Sequence, residues 1–363
     1  MNDFLQCIRD GARRVFEKTP LPDRLNQDWR CGRPDVHAAA LSAALAAGAD
    51  GSLRLDVRGA GKGVSVRPLS QAAPPAELAV VRSIGSESLL ALHLMHAGEG
   101  VLIEIAPGAR LDEPLRICCE TDGRALPFIL VLAGEGCRAA IEERFAVRGM
   151  GVIASVQRVH IAAGASLSCR VDHCGADDSR VFSIEDYTLG AEAGLRHLVR
   201  HRCAFWARQE TTVELLGGGA HAELFSANSL SGRGALDQRT RQLHTVPGAA
   251  SDLLYKNVLD GKSSAAYAGM ILVSPGSHGT DAYQSNRNLM LSDKAEINSM
   301  PGLEILADDV RCSHGSATGT LDADGLFYLM SRGIPADRAR RLVADGFLRD
   351  AVDRFLAGGA LGG

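Results

Sequence analysis

Short strand-like segments occupy most of residues 89 to 320, and this feature limits the possible folds more than any other. Each has about six residues that are β-branched or alternate between apolar and polar, as in a β-strand. Many are followed by Gly-Ala or Gly-Glu, which favour tight turns. The segments are VLIEIA (101–106), LRICCE (115–120), FILVLA (128–133), GVIASV (151–156), SLSCRV (166–171), LRHLVR (195–200), AELFSA (222–227) and GMILVS (269–274). We therefore predict a mainly β protein.

The pattern alone leaves the arrangement of these strands open. Strands of similar length separated by glycine turns are typical of the stacked coils of a β-solenoid. Their spacing along the chain is uneven, so a β-sandwich and a β-barrel remain compatible with the same residues.

Helical periodicity is confined to the two ends of the chain. Phe4, Ile8 and Ala12 recur at helical spacing, and an Ala/Leu-rich stretch covers residues 36–47. Apolar residues at helical spacing on both sides of Pro335 predict two more helices. We expect an N-terminal helical or irregular domain over residues 1–88, a β core over 89–321 and a C-terminal helical domain over 322–363.

The overall charge argues against two classes of partner. Over 363 residues, 39 Lys and Arg oppose 43 Asp and Glu, a formal net charge of −4. Such a chain lacks the positive field that attracts nucleic acid or anionic membranes. No apolar run reaches the roughly 18 to 20 residues that span a bilayer, and the N-terminus lacks a secretory pattern. We expect neither nucleic acid nor membrane as a partner, and a cytoplasmic location.

Simple motifs exclude several kinds of site. The nine cysteines are odd in number and contain no Cys-x-x-Cys pair, which argues against a disulfide framework and a zinc ribbon. Two Gly-Lys pairs, at 61–62 and 261–262, lack the spacing of a phosphate-binding loop. His197 and His201 lie in a strand-like run, roughly 13 Å apart, so we predict ordinary polar positions for them.

The most specific pattern in the chain is LEI-x-ADDV-x-CSHG, at residues 303–315. LFYL (326–329) and SRGI (331–334) follow it, and RQLH (241–244) precedes it. This combination resembles the C-terminal signature of the SufB/SufD family of iron–sulfur cluster assembly proteins. The CSHG sequence is more similar to the SufD branch than to SufB proteins, which have an EHE-type sequence at that place.

The resemblance is strong over residues 240–350 and weak before them. Near the N-terminus only Asp28-Trp29-Arg30 is similar to the family's Glu-Asn-Trp-Lys-Tyr-Thr run. The resemblance implies a right-handed parallel β-helix core between helical N- and C-terminal domains. That implication would decide between the architectures that the strand pattern leaves open.

The resemblance also implies a function and partners. The chain would be a scaffold subunit without catalysis of its own, paired with SufB and served by the ATPase SufC. A transient iron–sulfur cluster would be shared with SufB at the interface of the two subunits. A flavin in the assembled complex and a homodimer of the isolated chain are further implications.

Two residues of the signature are candidate cluster ligands. On a strand, Cys312 and His314 would project from the same face, because they are two positions apart. Clusters usually have four protein ligands, and no other cysteine is close in sequence, so this chain would supply only part of the shell. The resemblance assigns His314 to the SufB–SufD interface. Cys312 is either a second ligand or a buried small residue, and Asp308 and Asp309 suit a turn better than iron.

The C-terminal helices are a candidate docking surface. They carry more apolar and aromatic residues than a short two-helix tail needs for its own core. The resemblance implies that SufC binds there, and the alternative is packing onto the end of the β core. The residues are Tyr328, Arg332, Leu342, Phe347 and Phe355.

A β-helical polysaccharide lyase or hydrolase is the competing class. Such an enzyme needs a groove of clustered carboxylates and is usually exported. The sequence shows neither a repeated acidic spacing nor a secretory signal. We therefore favour the scaffold.

Overall fold

The computed structural model describes residues 3–31, 34–50, 56–59, 61–72, 74, 78, 80–96, 100–176, 178–202 and 206–358. Its helices are α1 (Asp3–Lys18), α2 (Pro34–Ala46), α3 (Glu87–His96), α4 (Ala323–Ser331) and α5 (Ala336–Ala357). Its strands are β1 (Asp56–Arg58), β2 (Val64–Pro68), β3 (Val101–Ile105), β4 (Leu115–Thr121), β5 (Arg124–Ala125), β6 (Phe128–Ala133), β7 (Arg138–Val147), β8 (Val152–Ile161), β9 (Ser166–Gly175), β10 (Arg180–Leu189), β11 (Gly194–Arg202), β12 (Trp206–Leu215), β13 (His221–Leu230), β14 (Ala235–His244), β15 (Ala250–Leu259), β16 (Ser264–Val273), β17 (Asp281–Met290), β18 (Glu296–Ile305) and β19 (Arg311–Thr320).

Two sheets form the body of the described chain, and successive long strands alternate between them. Sheet A has the order β1-β4-β7-β9-β11-β13-β15-β17-β19, and sheet B has the order β18-β16-β14-β12-β10-β8-β6-β3-β2. Pairing is parallel except for β1 with β4 and β2 with β3. Residues paired between adjacent coils are 26 to 32 positions apart in sequence. This is a parallel β-solenoid flanked by helices, as the resemblance implied, and it excludes the sandwich and the barrel.

A mostly apolar core fills the first coils of the solenoid. Inward residues such as Ile103, Ile117, Ile129 and Val131 are almost completely buried. Strands covered on both faces appear in sequence as short continuous apolar runs, which is why β3 and β6 were predictable.

The N-terminal helices cover the outer face of sheet B. Phe4 and Ile8 of α1 and Leu41 of α2 share one buried cluster with Leu130 and Phe182 of the sheet. Helix α3 belongs to this layer and packs on α1. Our prediction that strand texture begins at residue 89 is wrong for residues 89–96, because this short helix is apolar almost all round and has no visible periodicity.

Helix α5 covers part of the outer face of sheet A. It contacts β11, β13 and β15 along the side of the solenoid, not its end. Phe355 packs edge-on against Phe225, with ring centroids 6.3 Å apart. Lys256 Nζ lies 2.6 Å from Asp350 Oδ2 and donates to the backbone oxygen of Phe347 at 3.0 Å.

The C-terminal end of the solenoid is open within the described chain. β18 ends sheet B and β19 ends sheet A, so each has one edge without a strand partner among the described residues. Most residues of β19 are exposed, whereas those of β15 are largely buried. Unpaired strand edges readily accept another strand. Among the described helices, none is long and apolar enough to cross a membrane.

Candidate functional site

His314 lies on the terminal strand at the open end. It pairs in register with Gln284 of β17, which is buried inside the solenoid. His314 therefore belongs to a column of inward-facing residues, yet it is exposed, because no described coil follows β19. An imidazole in this position is fixed by the strand and is accessible to a partner or a metal ion.

Cys312 occupies the neighbouring inward column, two residues earlier. It pairs in register with Ala282 and packs partly buried against the cluster that includes Ile271 and Val273. Burial, with the nearby Asp281 carboxylate, raises the pKa of the Cys312 thiol. The protonated thiol is therefore favoured at neutral pH, and cluster binding would have to displace its proton.

Asp308 and Asp309 lie in the bend between β18 and β19. His278 Nδ1 is 2.9 Å from the backbone oxygen of Asp308, and the backbone N–H of Gly279 donates to that of Asp309 at 2.8 Å. Both contacts involve the backbone oxygens of the two residues and not their carboxylates, as expected for a turn. Within the described chain, no three His, Cys, Asp or Glu side chains converge to hold a metal ion.

A continuous file of hydrogen-bonded polar side chains runs inside the solenoid to the open end. It begins at Glu185 and Thr211, whose side chains are 3.1 Å apart. It ends at Ser299 and Ser316, whose hydroxyls are 2.8 Å apart on the two terminal strands. Intermediate members are Gln209, Gln238, Asn228, Asn257, Asn288 and Asn286, joined to one another and to the two ends by contacts of 2.8 to 3.1 Å. The file ties β18 and β19 to the interior beside His314.

At the inner end of this polar file a buried carboxylate lies among buried histidines. Glu185 Oε2 lies 3.1 Å from His197 Nε2, and Glu185 Oε1 lies 3.9 Å from His173 Nε2. The rings of His173 and His201 stack with centroids 4.6 Å apart. Burial lowers the pKa of His201 well below its ordinary value. His197 and His201 are thus interior residues, and no local pattern in the sequence indicates the carboxylate that His173 and His197 approach.

The predicted docking residues separate into two groups. Tyr328 and Leu342 are exposed, and the Arg332 guanidinium lies 5.3 Å from the centre of the Tyr328 ring. Phe347 is partly buried beneath Lys256, whose Nζ is 4.7 Å from the ring centre, and Phe355 is buried. Sequence reasoning missed three further exposed apolar residues on the same two helices: Phe327, Met330 and Leu356.

The matching N-terminal residues lie far from the open end and are structural. Trp29 is completely buried and its Nε1 donates to the backbone oxygen of Gly85 at 2.9 Å. Its ring lies under the Arg208 guanidinium, 4.1 Å from the ring centre. The short Asp28-Trp29-Arg30 match therefore marks where the N-terminal layer is held on sheet B.

A parallel β-solenoid between helical layers, with an exposed imidazole on the terminal strand of its open end, is the structural class to which the described chain belongs. The family model described as "SUF system FeS cluster assembly, SufBD core domain" matches residues 118–347, well over half of the chain. The chain belongs to this SufBD family.

Curated relatives agree with this assignment. An iron–sulfur cluster assembly SufBD family protein of Mycobacterium leprae is 34% identical over 216 residues, covering 57% of this chain and 55% of the relative. SufD of Escherichia coli is 28% identical over 265 residues, covering 72% and 59%. SufD of Bacillus subtilis is 34% identical over 148 residues, covering 40% and 33%. The chain spans about half the length of the first two curated relatives that it matches.

Proposed function

We propose that this protein is a cytoplasmic, non-catalytic scaffold subunit for iron–sulfur cluster assembly. It pairs with a SufB subunit, binds the ATPase SufC through its C-terminal helices, and contributes a ligand to a cluster built at the subunit seam. The observation that carries the proposal is the exposure of His314 on a strand whose outer edge has no partner in the described chain.

The open end suits a seam between two solenoids. The outer edges of β18 and β19 present main-chain N–H and C=O groups that a second solenoid end can satisfy by strand pairing. A similar end on SufB would bring its own side chains against His314. In the absence of SufB, a second copy of this chain is the alternative occupant.

His314 supplies the ligand atom in this proposal, and Cys312 has a secondary role. Imidazole nitrogen is a good ligand for iron, and His replaces Cys in some iron–sulfur centres. Cys312 is half-buried among apolar side chains and its raised pKa disfavours the thiolate. The remaining ligands come from the partner, because no complete set exists in the described chain.

Copurification with SufB and SufC tests the proposal. We expect His314→Ala to leave the three-subunit complex intact and to reduce bound iron and sulfide several-fold. The substitution removes a proposed ligand, and because the His314 side chain is exposed it should not disturb packing within the subunit. Iron and acid-labile sulfide per complex, with size-exclusion mass, are the measurements.

Ser313→Ala is the matched control, since Ser313 is exposed on the same strand and faces the other side of the sheet. It should retain wild-type iron and sulfide. Equal iron in the His314→Ala complex would remove His314 from the site, and failure to form any complex with SufB would overturn the scaffold proposal itself.

The exposed part of the C-terminal helices gives a separate prediction. Leu342→Asp should weaken SufC binding at least ten-fold, because it replaces an exposed apolar side chain of the proposed docking surface with a charge. Met150→Asp changes another exposed apolar residue, in the turn between β7 and β8, and should leave the affinity unchanged. Binding is measured by calorimetry with purified SufC. Unchanged affinity in Leu342→Asp would place the docking surface elsewhere.

A further inference from the structure

A groove on the outer face of sheet B is separate from the open end and from the C-terminal helices. It has a volume of about 670 Å³ and crosses the C-terminal ends of β3, β6, β8, β10 and β12. Pockets for small molecules commonly have volumes of roughly 300 to 1,000 Å³. Its size and concavity therefore suit a small organic ligand.

The floor of the groove is apolar. Ile105, Pro107, Leu132 and Leu216 line it, together with small alanine side chains. Water against such a surface is displaced favourably by an apolar group. The ligand should thus carry a hydrocarbon or aromatic body.

Arg158 forms one wall and has an unused hydrogen-bond donor. Its side chain is only 9% exposed, and its Nη1 lies 3.2 Å from Asp186 Oδ1. Its Nε has no hydrogen-bond partner among the described residues. A buried guanidinium donor without an acceptor is costly, so an acceptor from a ligand or water is expected there.

The carboxylates around the groove already have cationic partners. Arg82 forms ion pairs with Asp186, at 2.5 Å, and with Glu214. Glu104 forms an ion pair with Arg67. The free hydrogen-bonding capacity of this wall is therefore a donor, which selects an anion or another acceptor over a cation.

His160 lies two residues after Arg158 on β8, so the two side chains project from the same face of the strand. Its Nδ1 is 3.0 Å from the hydroxyl of Thr188, and its Nε2 has no hydrogen bond within the described part of the chain. Burial, and then the positive charge of Arg158, lower the pKa of His160. An anion placed between the two side chains would offset the positive charge of Arg158 and favour the protonated ring.

We propose that this groove binds a small organic anion, with a carboxylate or phosphate group against Arg158 and His160 and an apolar body on the floor. The groove lies over the first half of the solenoid, whereas His314 lies at its far end, so the proposal does not depend on the scaffold function.

Direct binding to the full chain tests the proposal with three probes: phenyl phosphate, benzoate and inorganic phosphate. We expect saturable calorimetric binding of phenyl phosphate or benzoate, and comparison of the two identifies the preferred head group. Inorganic phosphate should bind at least ten-fold more weakly, since it lacks the apolar body. NMR titration should show the pKa of His160 rising when the preferred probe is bound.

Two variants place the probe in the groove. Leu132→Trp fills the floor without touching the ion pairs, and Arg158→Gln removes the donor; each should weaken binding at least ten-fold. Arg144→Gln, an exposed arginine on sheet A, should not change it. Circular dichroism checks the fold of each variant. The proposal is wrong if no probe binds, if inorganic phosphate binds as tightly as phenyl phosphate, or if Leu132→Trp binds like the wild type.

Discussion

Arg208→Met is expected to destabilise the protein by about 3 to 5 kcal/mol and to loosen the N-terminal layer from sheet B. Arg208 is completely buried on the outer face of β12. Its Nε donates to Glu210 at 2.7 Å, its Nη2 to the backbone oxygen of Ile84 at 2.8 Å, and its Nη1 pairs with Asp237. Removing the guanidinium leaves the carboxylates of Glu210 and Asp237 buried with fewer positive charges and hydrogen-bond donors around them. Such unpaired buried charge strongly lowers the free energy of unfolding.

Urea unfolding measures the loss, and amide hydrogen exchange locates it. Exchange should rise in α1, α2 and α3 before it rises in the central strands, because Arg208 also donates to the backbone oxygen of Asp28 at 3.0 Å. Arg144→Met is the control: Arg144 is exposed and 3.9 Å from Glu120, so its loss should cost less than about 1 kcal/mol. An equal loss in the free energy of unfolding for the two variants would contradict the role of Arg208 in holding the N-terminal layer on sheet B.

Glu143→Gln is expected to stabilise the protein, and increasingly so as the pH rises from about 4.5 to 8. Burial, and then the negative charge of Glu185, raise the pKa of Glu143 to about 8 in the folded protein. Between the unfolded and folded pKa values the unfolded chain has lost the proton that the folded chain still holds. The free energy of unfolding of the wild type therefore falls over this range and is level above it.

The glutamine variant has no such proton, so its advantage should grow to on the order of 4 kcal/mol near pH 8. Cys169 and Tyr187 also face Glu143, and both stay neutral because their pKa values are raised. Thermal unfolding at several pH values measures the trend.

Glu142→Gln is the matched control for this trend. It changes the adjacent residue, which faces outward and lies 3.2 Å from Arg170. Its effect should be small and should not increase with pH. A stability difference between Glu143→Gln and wild type that stays constant across pH would show that Glu143 is already ionised.

The strands that could be predicted from the sequence bury apolar side chains, whereas the strands that were missed bury many polar ones. β6 contains FILVLA, an apolar run that indicates a covered strand directly. β12 contains WARQETTVEL and β14 contains ALDQRTRQLH, and nine of ten residues in the first and seven of ten in the second are buried. Their inward Gln and Thr residues join the polar file, and their outward Arg, Glu and Asp residues hold the N-terminal layer. Polar side chains in both directions remove the period-two hydrophobic pattern on which strand prediction depends.

The candidate site was also only partly predictable. The signature identified His314 and Cys312 and the strand alternation placed them on one face, as the register with Gln284 and Ala282 bears out. Their different exposure was not predictable, since it depends on which coil ends the solenoid and which apolar side chains lie beneath it. Phe355 was a candidate for docking by composition, but contact with Phe225 buries it.

By itself, the sequence determined the mainly β character of the chain, the helices at its extreme ends, the family and the residues of the signature. Local periodicity and short motifs depend only on residues that are neighbours in sequence. Tertiary structure alone decided the rest: the hydrogen-bonded file inside the solenoid, the hydrogen bonds and ion pairs of Arg208, and the exposure of His314 at an open end. These features join side chains about 30 to 180 positions apart, and burial at such separations depends on how whole coils stack.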